Sequence, residues 1–460
     1  MTDASPTHVL TSSGYRVSKR RLDEAQIDRM VDELTVTVGD SFIPDPKSDG
    51  PTRFCLAMES NRFLYLPKAY GLKTLGVPSK VFITEPVPID VPFVGSLMDQ
   101  QRAPLSSYLR AARDPERMGG ILQLPPGFGK TVLALHIVAT LGVKTLILVH
   151  KEFLMDQWIE RIQKYLPSAR VGRIKQKTVE VDDRDIVLAS IQSVCMREYE
   201  ASTFEGFGMV IVDECHHIGA QVFSRSLPKV NFRYALGLSA TVQRKDGLTR
   251  VFKWFLGDIV HRISSKQNTS CAVTQATYRP RGAPIDAYGM ELYLANGRVN
   301  IARMINVLAS CNDRTKFVIE RLVTTLQAEP TRNVIVLSDR RTHLETMKRA
   351  LDDLGYDCGL YVGGMSSKLL DQSKECRIIL GTYSMVSEGF DLAKLDTLVL
   401  ATPKGDVEQS VGRIQRKQSV EDSDNVPLII DVVDDYSMFK TQAEKRRRFY
   451  TKRTYTLQQN

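Results

Sequence analysis

The chain offers no framework of paired cysteines. Cys55, Cys195, Cys215, Cys271, Cys311, Cys358 and Cys376 are odd in number, scattered, and never spaced C-x-x-C. That pattern speaks against a disulfide scaffold and against a zinc knuckle, leaving them as reduced packing residues. No apolar run approaches membrane-spanning length, and the opening MTDASPTHVLTSS lacks the charged-then-apolar build of a secretion signal. A soluble, intracellular protein without membrane contact is expected, with cytoplasm and nucleus not distinguished. Acidic residues are in deficit, 53 against 62 lysines and arginines, for a net charge of +9. Such an excess suits a polyanionic partner such as nucleic acid, through release of counterions, and equally suits a solvated surface. At 460 residues the chain exceeds what one core usually supports, so two or three domains are expected.

What is present centres on Leu124-Pro125-Pro126-Gly127-Phe128-Gly129-Lys130-Thr131, set between an apolar run, 119–124, and an apolar-periodic segment opening at Thr131. Strand, turn and helix in that order form a phosphate cradle. Gly127 and Gly129 let the turn curl its N–H groups around a phosphate, with Pro126 and Phe128 in the same loop. Lys130 reaches the outer phosphates, and the Thr131 hydroxyl is suited to ligate Mg²⁺ at a helix start that favours anions. The opening glycine of G-x-x-x-x-G-K-[ST] is replaced by Leu124.

Residues 1–95 lack the strand–helix alternation that follows and read as a small accessory domain, with short strands at 53–58 and 62–67 and a connector broken by Pro78, Pro86, Pro88 and Pro92. From Val94 onward, non-alternating apolar runs at 119–124, 144–150, 185–190, 208–214 and 234–240 are separated by helical patterns. Strands buried on both faces of a parallel sheet look like this, so residues 96–262 read as a doubly wound α/β domain. Residues 263–300 read as a linker, 301–328 as one long helix, and 301–435 as a second α/β domain without a second phosphate loop. Residues 436–460 read as a basic tail whose Phe449, Tyr450 and Tyr455 suit stacking on nucleic acid, or as a solvated terminal helix.

Asp213 and Glu214 close the run GMVIVDE, which places both carboxylates at the carboxyl end of a core strand, where open α/β sheets bind ligands. Asp213 can share Mg²⁺ with Thr131, while Glu214 can orient and deprotonate an attacking water. Cys215, His216 and His217 are adjacent, without a second ligand cluster, so no zinc site is expected; His216 is expected to couple the nucleotide to its neighbours by hydrogen bonds. Ser239-Ala240-Thr241, after another strand, fits a hydroxyl relay to the Asp213–His216 segment. If 407–416 is helical, Arg413 and Arg416 share a face with Gln409 one turn earlier, and two guanidiniums can meet β/γ-phosphates.

Together these residues resemble a superfamily-two helicase, and the motifs cover 97–416. Gln101 resembles the adenine-reading glutamine, and Leu124 to Thr131 motif I. His150 through Gln157 looks like motif Ia, and Ser190 to Ser193, with Gln192, like the next strand-contacting motif. Asp213 to His216 is a DECH version of the DEAD/DEAH box, with Ser239 to Thr241 as motif III. Thr382 and the Ser387-Glu388-Gly389-Phe390-Asp391 run are similar to motif V, and Gln409 to Arg416 to motif VI. The sequence LPPGFGKT and the Ser239 to Gly247 run resemble the XPB/UvsW branch, and the compact length resembles the poxvirus transcript-release helicases and their kin in large DNA viruses. Lys245 stands where the XPB pattern carries Glu, so no strand-separating role is carried over from it.

The resemblance implies an α/β fold of two tandem RecA-like domains and an ATP-driven motor on DNA or RNA, with ATP and Mg²⁺ as cofactors. Gly389, Asp391 and Gln409 would join the loop around the nucleotide. Transcription or repair machinery would be partners, and a monomer is favoured. Two other readings stand beside it. A P-loop metabolite kinase or GTPase would leave Arg413 and Arg416 without a task, and an ATP-gated clamp would bind strands without turnover.

Overall fold

The computed structural model describes residues 8–38, 52–240, 249–263, 271–280, 288–386, 390, 392–415 and 425–459. Thr241, the Arg244 to Asp246 triplet, Ser387, Glu388, Gly389, Asp391 and Arg416 lie outside these residues. The chain forms two compact units, Met1–Ser265 and Lys266–Asn460.

The first unit is built on an eight-stranded sheet in the order Thr178–Val179, Val171–Lys175, Ile186–Ser190, Thr145–Val149, Met209–Val212, Tyr234–Ser239, Gly119–Gln123, Ile259–Arg262. All pairings are parallel except that of the two-residue edge strand. The sequences TLILV, IVLAS and MVIV are buried at every position. Unbroken apolar strands need cover on both faces: helices Lys130–Leu141 and Glu152–Tyr165 pack together on one, and Ala220–Ser226 and Thr249–Leu256 on the other. The pairing brings the carboxyl ends Gln123 and Ser239 side by side, and likewise Val149 and Ser190.

The N-terminal segment forms its own five-stranded sheet, Met58–Glu59, Phe63–Leu66, Gly14–Ser18, His8–Thr11, Lys80–Phe82. It is not a separate body. Leu10, Tyr15, Leu34 and Leu64 belong to the same apolar cluster as Val210, Val212, Phe223 and Phe252, so packing does not break at residue 95. Lys68, only 6% exposed, seals this seam. Its ammonium donates to the Arg233 and Phe232 carbonyls and lies 4.8 Å from the Phe232 ring centroid. Burial, assisted by the Arg233 charge, lowers its pKa to about 7.

The second unit holds a seven-stranded, wholly parallel sheet: Cys358–Tyr361, Ile378–Thr382, Val334–Ser338, Thr397–Leu400, Leu428–Asp434, Ala272–Tyr278, Thr456–Gln459. Three sequence expectations are corrected here. The 263–300 linker contains Ala272–Tyr278, paired along its whole length with Leu428–Asp434; its mixed composition, AVTQATY, hid a strand next to the sheet's edge. The long helix over 301–328 is two helices, Ile301–Ser310 and Asn312–Ala328, parted at Cys311, whose extended backbone breaks the run. The basic tail is integral to the sheet layer: helix Ser437–Lys452 returns the chain to add Thr456–Gln459 beside Ala272–Tyr278. Tyr450 and Tyr455 are buried with Phe439, so these rings build the core and do not offer stacking surfaces.

Two buried ion pairs anchor this unit. Arg314 meets Asp434 through two 2.7 Å hydrogen bonds, both side chains wholly buried, and donates a third to the Ala401 carbonyl. Arg446 grips Asp431 and donates to the Lys404 carbonyl at 2.8 Å, while Tyr450 and Gln275 donate to the same carboxylate. Burying such charges costs several kcal/mol unless partners satisfy them, which the bidentate geometry does here.

Candidate functional site

The first unit's motifs converge on the carboxyl edge of its sheet. Gly119–Gln123 leads into the loop, and helix Lys130–Leu141 starts at Gly129, whose φ of 80° lies in the left-handed region. Gly127 has φ 79°. Both positions favour glycine, and turns of this kind let a loop present its N–H groups to a phosphate. A Cβ on Gly129 would also stand 2.5 Å from Gln101 Nε2. Pro126, Lys130 and Thr131 are half-buried, Gly127 is exposed, and Phe128 is buried beneath the loop.

Gln101 is 1% exposed. Its Nε2 donates to the carbonyls of Phe128 at 2.9 Å and Gly129 at 3.3 Å, and its Oε1 accepts the Met98 N–H at 3.0 Å. The residue expected to read adenine therefore braces the loop in this state, because its amide hydrogens point at loop carbonyls. Reading a base would require it to release them.

Beyond strand Met209–Val212, Asp213 and Glu214 stand as the sequence places them, past a strand end. Lys130 Nζ lies 3.2 Å from Glu214 Oε1, both side chains largely shielded from water. Glu214 is left-handed, φ 43° and ψ 49°, a conformation uncommon for a residue with a side chain. Asp213 is buried. Its Oδ1 accepts the Glu214 N–H at 2.9 Å and its Oδ2 accepts the Trp158 indole N–H at 2.9 Å. Burial first, and the neighbouring Glu214 charge second, push the Asp213 carboxyl up to about 6. Cys215 is fully buried, and burial pushes its thiol well up, so it is a packing group.

His216 Nδ1 stands 2.9 Å from Ser239 Oγ and 3.5 Å from Glu214 Oε2. One imidazole thus lies between a strand-end hydroxyl and the acidic pair. Ser190 Oγ donates to Gln192 Oε1 at 3.0 Å, and Gln192 Nε2 donates to the His150 carbonyl at 2.9 Å. These polar groups, expected to touch a strand, tie two adjacent strand ends to each other. Gln157 is half-buried on helix Glu152–Tyr165.

In the second unit, Thr382 ends strand Ile378–Thr382, with its hydroxyl 3.3 Å from Ser384 Oγ. The segment expected to be helical over 407–416 is a helix only at Glu408–Val411. Arg413 follows in a turn, its N–H donating to the Ser410 carbonyl at 3.1 Å, and is 8% exposed. The shared-face relation of Arg413 and Arg416 therefore does not follow from helical spacing, since Gly412 lies just past the helix end. Gln409 sits half-buried within the helix.

Two features were missed in the sequence. The Trp158 contact to Asp213 had one available signal: a tryptophan on an inward helical spacing must find an acceptor for its N–H. The second feature is a pair of clasps on the Arg413 segment, Arg453 on Glu408 and Gln415 Nε2 on Tyr455 Oη at 2.7 Å. Partners 40 and 45 residues apart leave no local pattern.

Among known proteins, residues 95–244 match the family described as type III restriction enzyme, res subunit. A protein of Acanthamoeba polyphaga mimivirus, named as an ATP-dependent RNA helicase, is 32% identical over 458 residues, covering 98% of this chain and 86% of its own. An African swine fever virus protein with the same kind of name is 28% identical, covering 73% of this chain and 69% of its own. The solved T4 UvsW aligns over 98% of each chain at 18% identity with a TM-score of 0.39.

Proposed function

The chain belongs to the superfamily-two helicases of large DNA viruses, and from that premise we propose that it couples ATP hydrolysis at the Lys130–Asp213–Glu214 edge to movement along, or separation of, nucleic-acid strands. The observation that carries this is the 3.2 Å contact of Lys130 with Glu214 beside the buried, doubly hydrogen-bonded Asp213. A loop lysine held by the acidic residue next to Asp213 is poised for exchange. When a triphosphate enters the loop, its charge draws Lys130 away, and Glu214 is left to accept a proton from water.

The residues fit a divalent cation. Two adjacent carboxylates face one lysine, and burial together with the Glu214 charge holds the Asp213 carboxyl above its usual range, so a cation beside it would favour the charged form. Among the described residues no group of three or more His, Cys, Asp or Glu is arranged to hold a metal by itself, which suits Mg²⁺ held jointly with substrate phosphates. Thr131 and Asp213 would hold it, and it would neutralise charge on the β- and γ-phosphates. Arg413, with Arg416, is the second unit's contribution to the outer phosphates, and Gly389, Asp391 and Gln409 join the nucleotide site. Such contacts would favour the ATP-bound arrangement only by binding it better than the alternative.

His150, Gln157, Ser190, Gln192 and Thr382 stand for the strand path in this reading, contacting phosphates more than bases, so sequence preference should be low. His216, Ser239 and Thr241 link that path to the nucleotide. The relatives are named RNA helicases, and the motif set resembles transcript-release enzymes, so the setting proposed is viral transcription on DNA or an RNA–DNA hybrid. Phosphate release with and without DNA, RNA and hybrid strands, paired with strand displacement on each, tests it. Turnover indifferent to every strand would sink the motor and favour a metabolite kinase, whereas binding without turnover would favour the clamp.

A further inference from the structure

We propose that Trp158 is a positioning residue that transmits strand binding on the His150–Gln157 segment to Asp213, an inference that rests on the nucleotide and strand roles proposed above. The indole N–H donates to Asp213 Oδ2 at 2.9 Å, and Trp158 is 2% exposed. Asp213 Oδ1 is already fixed by the N–H of the next residue. One oxygen is therefore oriented by the carboxylate's own backbone, and the other by a different element, helix Glu152–Tyr165.

That helix starts just after His150, at the carboxyl end of Thr145–Val149. Leu154, Met155, Trp158 and Ile162 face inward, while Phe153 and Gln157 remain partly exposed. The helix thus has an outer face on the proposed strand path and an inner face that ends on the carboxylate. Gln192, bonded to the His150 carbonyl, ties the same segment to the Ser190 strand end. Side chains in a close-packed interior follow their helix when it shifts, so a strand that displaces the helix start changes the Trp158–Asp213 bond.

Trp158→Phe keeps an aromatic ring and removes the N–H. The variant should keep a cooperative unfolding transition at somewhat lower temperature, and basal ATP turnover should fall by a smaller factor than strand stimulation does. Stimulation by a single strand should fall by about 5-fold or more, the lower end of a typical coupling between sites, and the Mg²⁺ concentration for half-maximal turnover should rise. A second measurement leaves Trp158 untouched. The chain has two tryptophans, so Trp254→Phe leaves Trp158 as the single indole. Its emission should then change on adding an oligonucleotide without nucleotide, and separately on adding Mg²⁺ and ATP to the Glu214→Gln form. Full stimulation in Trp158→Phe, or emission blind to the oligonucleotide, overturns the proposal. Failure of the underlying reading looks different: Lys130→Ala would hydrolyse ATP normally, or no strand would stimulate the parent.

Discussion

The two units use the same architecture, a parallel sheet with helices on its faces, yet they treat charge in opposite ways. The first leaves Lys130, Asp213 and Glu214 crowded at its strand ends, with two adjacent acids beside one loop lysine and the Asp213 carboxyl raised to about 6. The second sinks Arg314 and Arg446 into its interior, each on a carboxylate that other donors also satisfy. Strand ends that must exchange partners with a substrate cannot be fully satisfied beforehand, whereas charges that hold a fold together must be. One unit keeps charge at strand ends where a substrate can engage it, and the other spends its buried charges on the fold.

Substitutions at these two kinds of site should therefore fail differently. Glu214→Gln should reduce phosphate release by about 10²–10⁴-fold, the range for loss of a general base, while the unfolding midpoint moves little. Lys130→Ala should match it or exceed it. Turnover within a few-fold of the parent in either variant would remove the first unit's site from the mechanism. Asp434→Ala should leave Arg314 buried without its counter-charge and cost about 3–5 kcal/mol of stability, measured as a drop in denaturant midpoint. Turnover per folded molecule should hold. Replacing both partners, Arg314→Met with Asp434→Leu, should recover most of the loss, and failure to recover would mean that the pair does more than balance charge.

Lys68 sharpens the contrast, because it is the first unit's buried cation and it rests on carbonyls and a ring face. Its folded pKa, about 7, lies below its ordinary 10.5. Between those values the unfolded chain binds the additional proton, so stability rises as pH increases through that window, and the cost of the buried charge is felt in full below about 7. The slope from this one group is at most about 1.4 kcal/mol per pH unit. Lys68→Met should flatten the rise of the urea midpoint between neutral and alkaline pH. Parallel profiles for parent and variant would show that the ammonium is not desolvated.

Legibility in the sequence follows the same division. The α/β class and the five central strands of the first unit's sheet could be read because unbroken runs such as TLILV and MVIV have no other use in a domain of this kind, whereas Val171–Lys175 and Ile259–Arg262, nearer its edges, could not. The placement of Asp213 and Glu214 past a strand end could be read for the same reason. Ala272–Tyr278 could not, since near a sheet's edge a strand needs neither a continuous apolar run nor clean alternation. Nor could the orientation of Gln101, which depends on carbonyls 27 and 28 residues away. Phe449, Tyr450 and Tyr455 misled in the other direction: set among lysines and arginines they read as a binding surface, while 3.6-residue spacing turned Tyr450 inward and left Arg447 and Arg448 exposed.

The smallest expected effect on stability lies in the Arg413 segment of the second unit. Glu408 and Gln415 bracket Arg413, and each is held from the C-terminal segment, by Arg453 and by Tyr455. Arg446 adds a third hold, at the Lys404 carbonyl. Tyr455→Phe removes one hydrogen bond and should cost only about 0.5–1.5 kcal/mol, too little to unfold a domain of this size. If the clasps serve only the fold, ATP turnover should be unchanged at that cost. If they set the position of Arg413, as its proposed contact with the outer phosphates requires, kcat should fall while KM for ATP changes little, because the lost contact belongs to the transition state. Glu408→Gln should act in the same direction. The exchange Glu408→Arg with Arg453→Glu should restore part of the rate, which a purely structural defect would not predict. Equal kcat in all three variants would assign this part of the second unit to architecture alone, and the division between spent and unspent charge would then coincide with the division between the units.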